Sequence, residues 1–179
     1  MAKGGSKKLA IDSWQIQQLG EVLQYFRLKK KEVAKKLEAL VENDDQVSCM
    51  GAVVGKVTSA IFLSDRLDPR DYRHPKCYLK AFGLNLKEKS SGKFKGQLKI
   101  TKRGSSTARK YLYFACLRLL NNDPIIAQWY QLKVQHYGNK HKMKAITALM
   151  RKIVLALWHV GRGEAFDANK LFTLREVVS

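Results

Sequence analysis

The stretch Lys87–Lys110 reads KEKSSGKFKGQLKITKRGSSTARK and separates two groups of helical sequence patterns. It contains nine basic residues and a single acid, Glu88, together with three glycines. A segment with so many charges cannot build a hydrophobic core. Glycine lets backbone N–H groups approach a ligand closely, and lysine and arginine neutralise phosphate charge. We therefore expect a basic, glycine-rich loop that binds nucleic acid.

The positive charge of the chain is concentrated around this loop. The 179 residues carry a formal net charge of +19 at pH 7. Residues 73–163 hold 20 Lys or Arg against two acids, Glu88 and Asp123, so this segment alone carries +18. A field of this size attracts polyanions. Nucleic acid is the expected partner.

The sequence gives little support to a membrane or secreted protein. The longest apolar candidate, Ala145 to Val160, is interrupted by Arg151 and Lys152 and is shorter than the ~18 residues of a spanning helix. The basic N-terminus MAKGGSKK has no apolar stretch behind it, unlike a secretory signal. Three widely spaced cysteines favour reduced thiols over a disulfide framework. We expect a cytoplasmic protein without membrane contact.

A heptad pattern follows the first residues of the chain. Two apolar series repeat every seven residues, and Lys30 is the one polar member. The series are Ile16, Leu23, Lys30 and Leu37, and Leu19, Phe26, Val33 and Leu40. This pattern predicts a coiled coil, either between chains or as a hairpin, because a lysine among the core positions can set register. We expect a homo-oligomer through this helix. An amphipathic helix packed on its own domain would show a similar pattern.

The next segment, VSCMGAVVGKVTSAIFLSDRL, predicts two helices joined by a glycine turn. Such a turn can be a helix-hairpin-helix that presents backbone N–H groups to a phosphate. A plain turn between two core helices would have the same sequence. After residue 104, Ser105 to Thr107 offer an N-cap, Pro124 to Tyr137 predict a helix that ends at Gly138, and a last helix ends near Gly161. A strand pattern is visible at Gln97 to Thr101.

The predicted fold is therefore mainly α. It comprises a coiled-coil helix, a helix-hairpin-helix-like segment and a small helical bundle with the basic glycine-rich loop. The predicted organisation is a disordered basic tail (1–12), the coiled-coil helix (13–43), a helical nucleic-acid-binding domain (44–173) and a short tail (174–179).

The residues alone point to no metal site or known catalytic motif. Asp65, Asp68 and Asp71 are interrupted by Pro69, and arginines between them are available as counter-ions, so we interpret them as surface residues. A serine in a lysine-rich glycine loop is most often a hydrogen-bond donor to phosphate. A nucleophilic role for Ser90 or Ser91 would need a general base or a metal.

Several separated motifs resemble the C-terminal transposase domain of the insertion-sequence-110 family, the bridge-RNA-guided serine recombinases. They occur within GLNLKEKSSGKFKGQLKITKRGSSTARKYLYFACL and ALMRKIVLALWHVGRGEAFD. The matching steps are Gly83-Leu84, Ser91-Gly92, Gly96, Thr101 to Gly104, Arg109, Met150 to Lys152, and Gly163 to Asp167. The resemblance covers roughly residues 13 to 173. It implies that the domain at residues 44–173 is a helical transposase-type nucleic-acid-binding domain, and that the protein is prokaryotic and nucleoid-associated.

The resemblance implies that Ser91 is the nucleophile that forms a phosphoserine link to DNA during strand exchange. Enzymes of this family also carry a RuvC-like domain whose acidic residues hold divalent metal, and residues 1–72 show nothing similar. We expect no cofactor in this chain, and Mg²⁺ in a separate RuvC-like partner chain. Guide RNA is a further expected ligand.

The sequence thus predicts the C-terminal half of an insertion-sequence recombinase, with Ser91 as its catalytic residue and its metal-binding domain supplied in trans. The alternative is a non-catalytic nucleic-acid-binding or regulatory module derived from a transposase. A basic structural protein bound to RNA or the ribosome is a third reading, which the ordered motifs disfavour. The predicted nucleic-acid contacts are basic residues of the loop and the later helices, namely Lys87, Lys89, Lys93, Lys95, Lys99, Lys102, Arg103, Arg109, Lys110, Lys140, Lys142, Arg151 and Lys152.

Overall fold

The computed structural model describes residues 13–88 and 98–172. Over these residues the chain is mainly helical, which confirms the predicted fold class. The helices are α1 (Ser13–Leu40), α2 (Asp45–Val54), α3 (Lys56–Ser64), α4 (Pro75–Ala81), α5 (Ser106–Asn122), α6 (Pro124–Tyr137), α7 (Lys142–Val160) and α8 (Ala168–Leu171). The two strands are β1 (Leu86–Glu88) and β2 (Leu98–Ile100), so the strand pattern predicted near residue 98 is confirmed.

The chain divides into two compact units, residues 1–40 and residues 41–179. In the first unit, the 28 residues of α1 include no buried side chain. Ile16, Leu19, Phe26 and Val33, all at predicted heptad core positions, are each more than half exposed. The helix ends at Leu40, three residues before the predicted boundary, because Asp44 caps the next helix and accepts hydrogen bonds from the N–H groups of Gln46 and Val47. The coiled coil itself stays a prediction.

The predicted glycine turn is a single residue. Gly55 joins α2 to α3 at φ +85°, a backbone conformation that residues with a Cβ rarely adopt. Gly51, the other glycine of this segment, lies inside α2. The arrangement is a tight pair of helices. Binding of phosphate by this pair remains a prediction.

The core of the second unit forms around α7. This helix buries an apolar stripe that includes Ile146, Leu149, Ile153 and Leu157, and it packs against α2, α4, α5 and α6. Aromatic rings fill the space beside α7. The ring of Phe82 packs edge-to-face against the rings of both Phe62 and Tyr78 in the core. The buried Tyr78 hydroxyl donates a hydrogen bond to the carbonyl oxygen of Leu67 at 3.0 Å, and burial raises its pKa.

Local capping signals determine where the helices of the second unit begin. Ser105 accepts a hydrogen bond from the N–H of Ala108 and caps α5, as predicted. Asp123 does the same for α6, whose predicted limits, Pro124 and Tyr137, are confirmed. The bundle that results leaves one segment, between α4 and α5, in which the chain forms strands.

Candidate nucleic-acid interface

Strands β1 and β2 form a two-stranded antiparallel ribbon with two different faces. Lys87 lies directly opposite Lys99, and both are exposed. Because side chains alternate along a strand, the other face carries the pairs Leu86–Ile100 and Glu88–Leu98. Like charges placed opposite each other on a ribbon are destabilising. An anion bound between the two lysines would remove this repulsion.

The base of the ribbon is held by hydrogen bonds between its two chain ends. The N–H of Thr101 donates to the carbonyl of Asn85 at 3.0 Å, and the N–H of Lys102 donates to the carbonyl of Gly83 at 2.9 Å. The Thr101 hydroxyl also donates to Oδ1 of Asn85 at 2.5 Å. Lys102 has φ +57°, which marks the sharp turn by which the chain leaves the ribbon.

Two glycines meet just below this base. A Cβ on Gly104 would overlap the carbonyl oxygen of Ala81 and would lie 2.6 Å from the backbone nitrogen of Gly83. Gly83 has φ +67°, and a Cβ there would lie 2.7 Å from Nη1 of Arg109. Neither position therefore has room for a side chain. The backbone between α4 and β1 and the backbone before α5 are in direct contact.

Arg109 closes this junction from the side of α5. Its Nη1 donates to the carbonyl oxygen of Phe82 at 3.0 Å and to that of Gly104 at 2.8 Å. Ser105 adds a link to α3, since its hydroxyl donates to Oδ2 of Asp65 at 2.5 Å. We call the set Gly83, Gly104 and Arg109 the ribbon junction. These three residues come from separate motifs in the sequence, and the fold brings them together.

The predicted catalytic serine lies outside the described residues. Residues 89–97, which separate β1 from β2, include Ser90 and Ser91 and the predicted contacts Lys89, Lys93 and Lys95. Their roles stay predictions. What the structure defines is the ribbon to which this stretch is joined at both ends, at Glu88 and Leu98.

The other predicted nucleic-acid contacts fall into two groups. The side chains of one group are exposed, as a contact to phosphate requires: Lys87, Lys99, Lys102, Arg103, Lys110, Lys140 and Lys142. The second group, Arg109, Arg151 and Lys152, is partly buried. Arg109 takes part in the junction described above. Residue type alone did not reveal that Arg109 and Lys152 also donate hydrogen bonds to backbone carbonyls, and binding of nucleic acid by the second group stays a prediction.

Arg151 and Lys152 are neighbours on α7 but differ in surroundings. The ammonium of Lys152 donates to the carbonyl of Leu171 at 2.9 Å and lies 5.7 Å from the centre of the Trp129 ring, so it helps to hold the segment around α8 on the bundle. Burial lowers the pKa of Arg151, and its Nε is buried without a hydrogen-bond partner in the described part of the chain. A buried donor without a partner costs free energy, so Arg151 is held in α7 at some cost to stability.

Sequence reasoning missed Arg118. Its guanidinium lies against Gly55, with Nη1 2.8 Å from the place where a Cβ on that glycine would be. The side chain is exposed and adds a positive charge beside the turn between α2 and α3. Arg118 is the one charged residue in the second half of α5, where most neighbours are apolar. This isolated charge was the sequence feature that pointed to it.

The described residues contain neither a cluster of metal ligands nor a membrane-spanning helix. Within residues 13–88 and 98–172, no three His, Cys, Asp or Glu side chains come close enough together to hold a metal ion. Asp68 instead pairs with Arg70 at 2.6 Å. Over the same residues, no helix combines the length and apolar character needed to cross a membrane.

Residues 52–131 match the family model described as Transposase IS116/IS110/IS902 family. This match confirms the predicted resemblance. The matched segment begins in α2, ends in α6 and contains the ribbon and its whole junction. No curated protein matches the chain. The transposase-family match supports a transposase-type function and an interaction with DNA.

The crowding at the ribbon junction yields a stability prediction. Replacing Gly104 by alanine should lower the free energy of unfolding by more than about 2 kcal/mol, because the new methyl group overlaps backbone atoms that cannot move independently. Urea unfolding followed by circular dichroism measures this change. Gly20→Ala in α1 is the matched control. No atom lies within 4 Å of the added Cβ there, and alanine should stabilise the helix by about 0.5–1 kcal/mol. Equal losses in the two variants would contradict the role of the junction.

Proposed function

We propose that this chain is the C-terminal half of an insertion-sequence transposase of the serine recombinase type. In this proposal it binds DNA, with guide RNA as a further ligand, and carries Ser91 as the nucleophile of strand exchange. It would act on cytoplasmic, nucleoid DNA. The observation that carries the proposal is the ribbon with paired lysines, which lies inside the matched transposase segment and is joined at both ends to the stretch that contains Ser91.

The chemistry proposed for Ser91 is phosphoryl transfer. The serine oxygen attacks the phosphorus of a DNA phosphodiester, a bond from oxygen to phosphorus forms, and the bond to one deoxyribose oxygen breaks. The serine proton passes to a general base, and the departing oxygen takes up a proton. The freed hydroxyl of another strand then loses its proton and attacks the phosphorus of the phosphoserine, the bond to the serine oxygen breaks, and the serine takes up a proton, which completes the exchange.

The basic residues of this chain would bind the substrate and stabilise its charge. Lys87 and Lys99 are positioned to neutralise backbone phosphates beside the reacting strand, and Lys102 and Arg103 extend the same charge to the base of the ribbon. The divalent metal that the family implies has no fitting set of ligands in the described residues. In the proposal this metal belongs to an acidic RuvC-like domain on a separate chain.

Binding by the ribbon predicts a specific dependence on salt. Each phosphate contact contributes about 0.9 to the slope of log affinity against log salt on duplex DNA. The variant Lys87→Gln/Lys99→Gln should therefore bind a duplex more weakly and lose about 1.8 from that slope. Fluorescence anisotropy across a salt series measures both quantities. Lys31→Gln/Lys35→Gln in α1 removes the same charge elsewhere, and an equal loss there would attribute the effect to net charge alone.

The catalytic part of the proposal predicts a covalent intermediate. DNA from the ends of the element, incubated with this protein, Mg²⁺ and an acidic domain of the family, should give a protein–DNA adduct that survives denaturation. Ser91→Ala should abolish the adduct, and Ser90→Ala should retain it. Adducts are resolved on a denaturing gel. Salt-dependent binding without any adduct would instead support the alternative, a non-catalytic binding module.

Self-association through α1 is a further part of the proposal. Its support is the exposure of the heptad core positions described above, because apolar stripes of this length favour helix pairing. Leu23→Glu/Phe26→Glu should reduce the oligomer to a monomer, as measured by light scattering after gel filtration. Gln18→Glu/Gln24→Glu adds the same charge outside both heptad series and should leave the mass unchanged. An unchanged mass in the first variant would rule out the coiled coil.

A further inference from the structure

An aromatic side chain lies exposed at the centre of the outer face of α5. Phe114 is 52% exposed, and Leu117, three residues later, is 37% exposed. The opposite face of the same helix buries Ala108, Leu112, Ala115 and Cys116 in the core. Phe114 therefore belongs to the outward stripe of a helix that is otherwise correctly packed. Its exposure is not explained by the fold.

The charges around Phe114 limit what could cover it. Lys110 and Arg118 lie four residues before and after it, so each cation is one helical turn away on the same face. The sequence of α5 from residue 106 to residue 122 contains no acid. Thr107 and Asn121, the next residues on this stripe, are uncharged and exposed. An aromatic ring between two cations is suited to a ligand that is both planar and anionic.

A second copy of this chain is a poor candidate for that ligand. Residues 73–163 carry +18, so two such surfaces would repel each other when brought together. A nucleic-acid strand has the complementary properties, since its bases stack on aromatic rings while its phosphates pair with lysine and arginine. A base can reach an exposed ring in this way when it is not stacked within a duplex.

We propose that the outer face of α5 is a binding site for single-stranded nucleic acid, in which an unpaired base stacks on Phe114. Lys110 and Arg118 neutralise phosphates on either side of that base. The Arg118 guanidinium lies against Gly55, so its charge is close to the turn between α2 and α3. The inference rests on the proposed nucleic-acid-binding function. It adds that the chain recognises a strand with unpaired bases, at a surface separate from the ribbon.

The test uses a short thymidine oligonucleotide with a single 2-aminopurine. Binding of the full chain should quench the fluorescence of this base, because it stacks on the ring. Phe114→Ala should weaken the single-strand affinity about tenfold and abolish the quenching, as expected for loss of one base–aromatic stack. Phe114→Tyr should retain both, and affinity for duplex DNA should change little in either variant. Circular dichroism confirms that the variants fold.

Two further variants separate stacking from apolar contact. Met143→Ala removes another exposed apolar side chain, 65% exposed and also flanked by lysines, and should leave single-strand binding unchanged. Phe114→Leu keeps an apolar side chain without the ring. Full single-strand affinity in Phe114→Leu or Phe114→Ala would overturn the inference and point to a protein partner for this face. If duplex binding still depended on the ribbon lysines in that case, the proposed function would stand. Failure of the wild-type chain to bind any nucleic acid would overturn both.

Discussion

The contact between the backbones around Gly83 and Gly104 is the constraint on which the rest of the described second unit depends. The two segments approach so closely that neither can carry a Cβ, and Arg109 bridges the carbonyl groups of Phe82 and Gly104. Buried carbonyls need donors, and one guanidinium supplies two hydrogen bonds in fixed geometry. The junction therefore aligns the end of α4 with the start of α5. The register of the ribbon follows, because its two strands leave from points that are already fixed.

Basic residues in this chain serve two purposes that composition does not separate. Arg109 and Lys152 use their donors on backbone carbonyls within the bundle. Lys87 and Lys99 face each other in solvent. Neither lysine forms an ion pair with an acid among the residues that the structure describes. The first kind of contact stabilises the fold whether or not a ligand is present. The second kind is unfavourable until an anion binds. Whether a cation is exposed and lacks a partner within the protein therefore indicates better than the number of charges where a polyanion binds.

The sequence predicted best what depends on neighbouring residues. Pro124, Asp123 and Gly138 give the limits of α6 because proline, a capping side chain and glycine act within one turn of the helix. The pairing of β1 with β2 and the meeting of Gly83 with Gly104 join residues 10 to 21 positions apart, and no local pattern encodes them. For the same reason Arg109 looked like a contact to nucleic acid. The family resemblance identified Arg109 as part of a motif, but the motif did not reveal its hydrogen bonds to the backbone, and its contact with nucleic acid stays a prediction.

The ribbon junction also bears on how a serine in this region could work. Strand exchange by phosphoryl transfer gains much of its rate from holding the nucleophile and the phosphate in a productive geometry. The described part of the ribbon, whose strands are paired and whose base is tied to two helices, is ordered before a substrate arrives. The cost of this ordering is met by folding of the helical body. A change at Gly104 or Arg109 would therefore act on the ribbon through the same contacts that hold the second unit together.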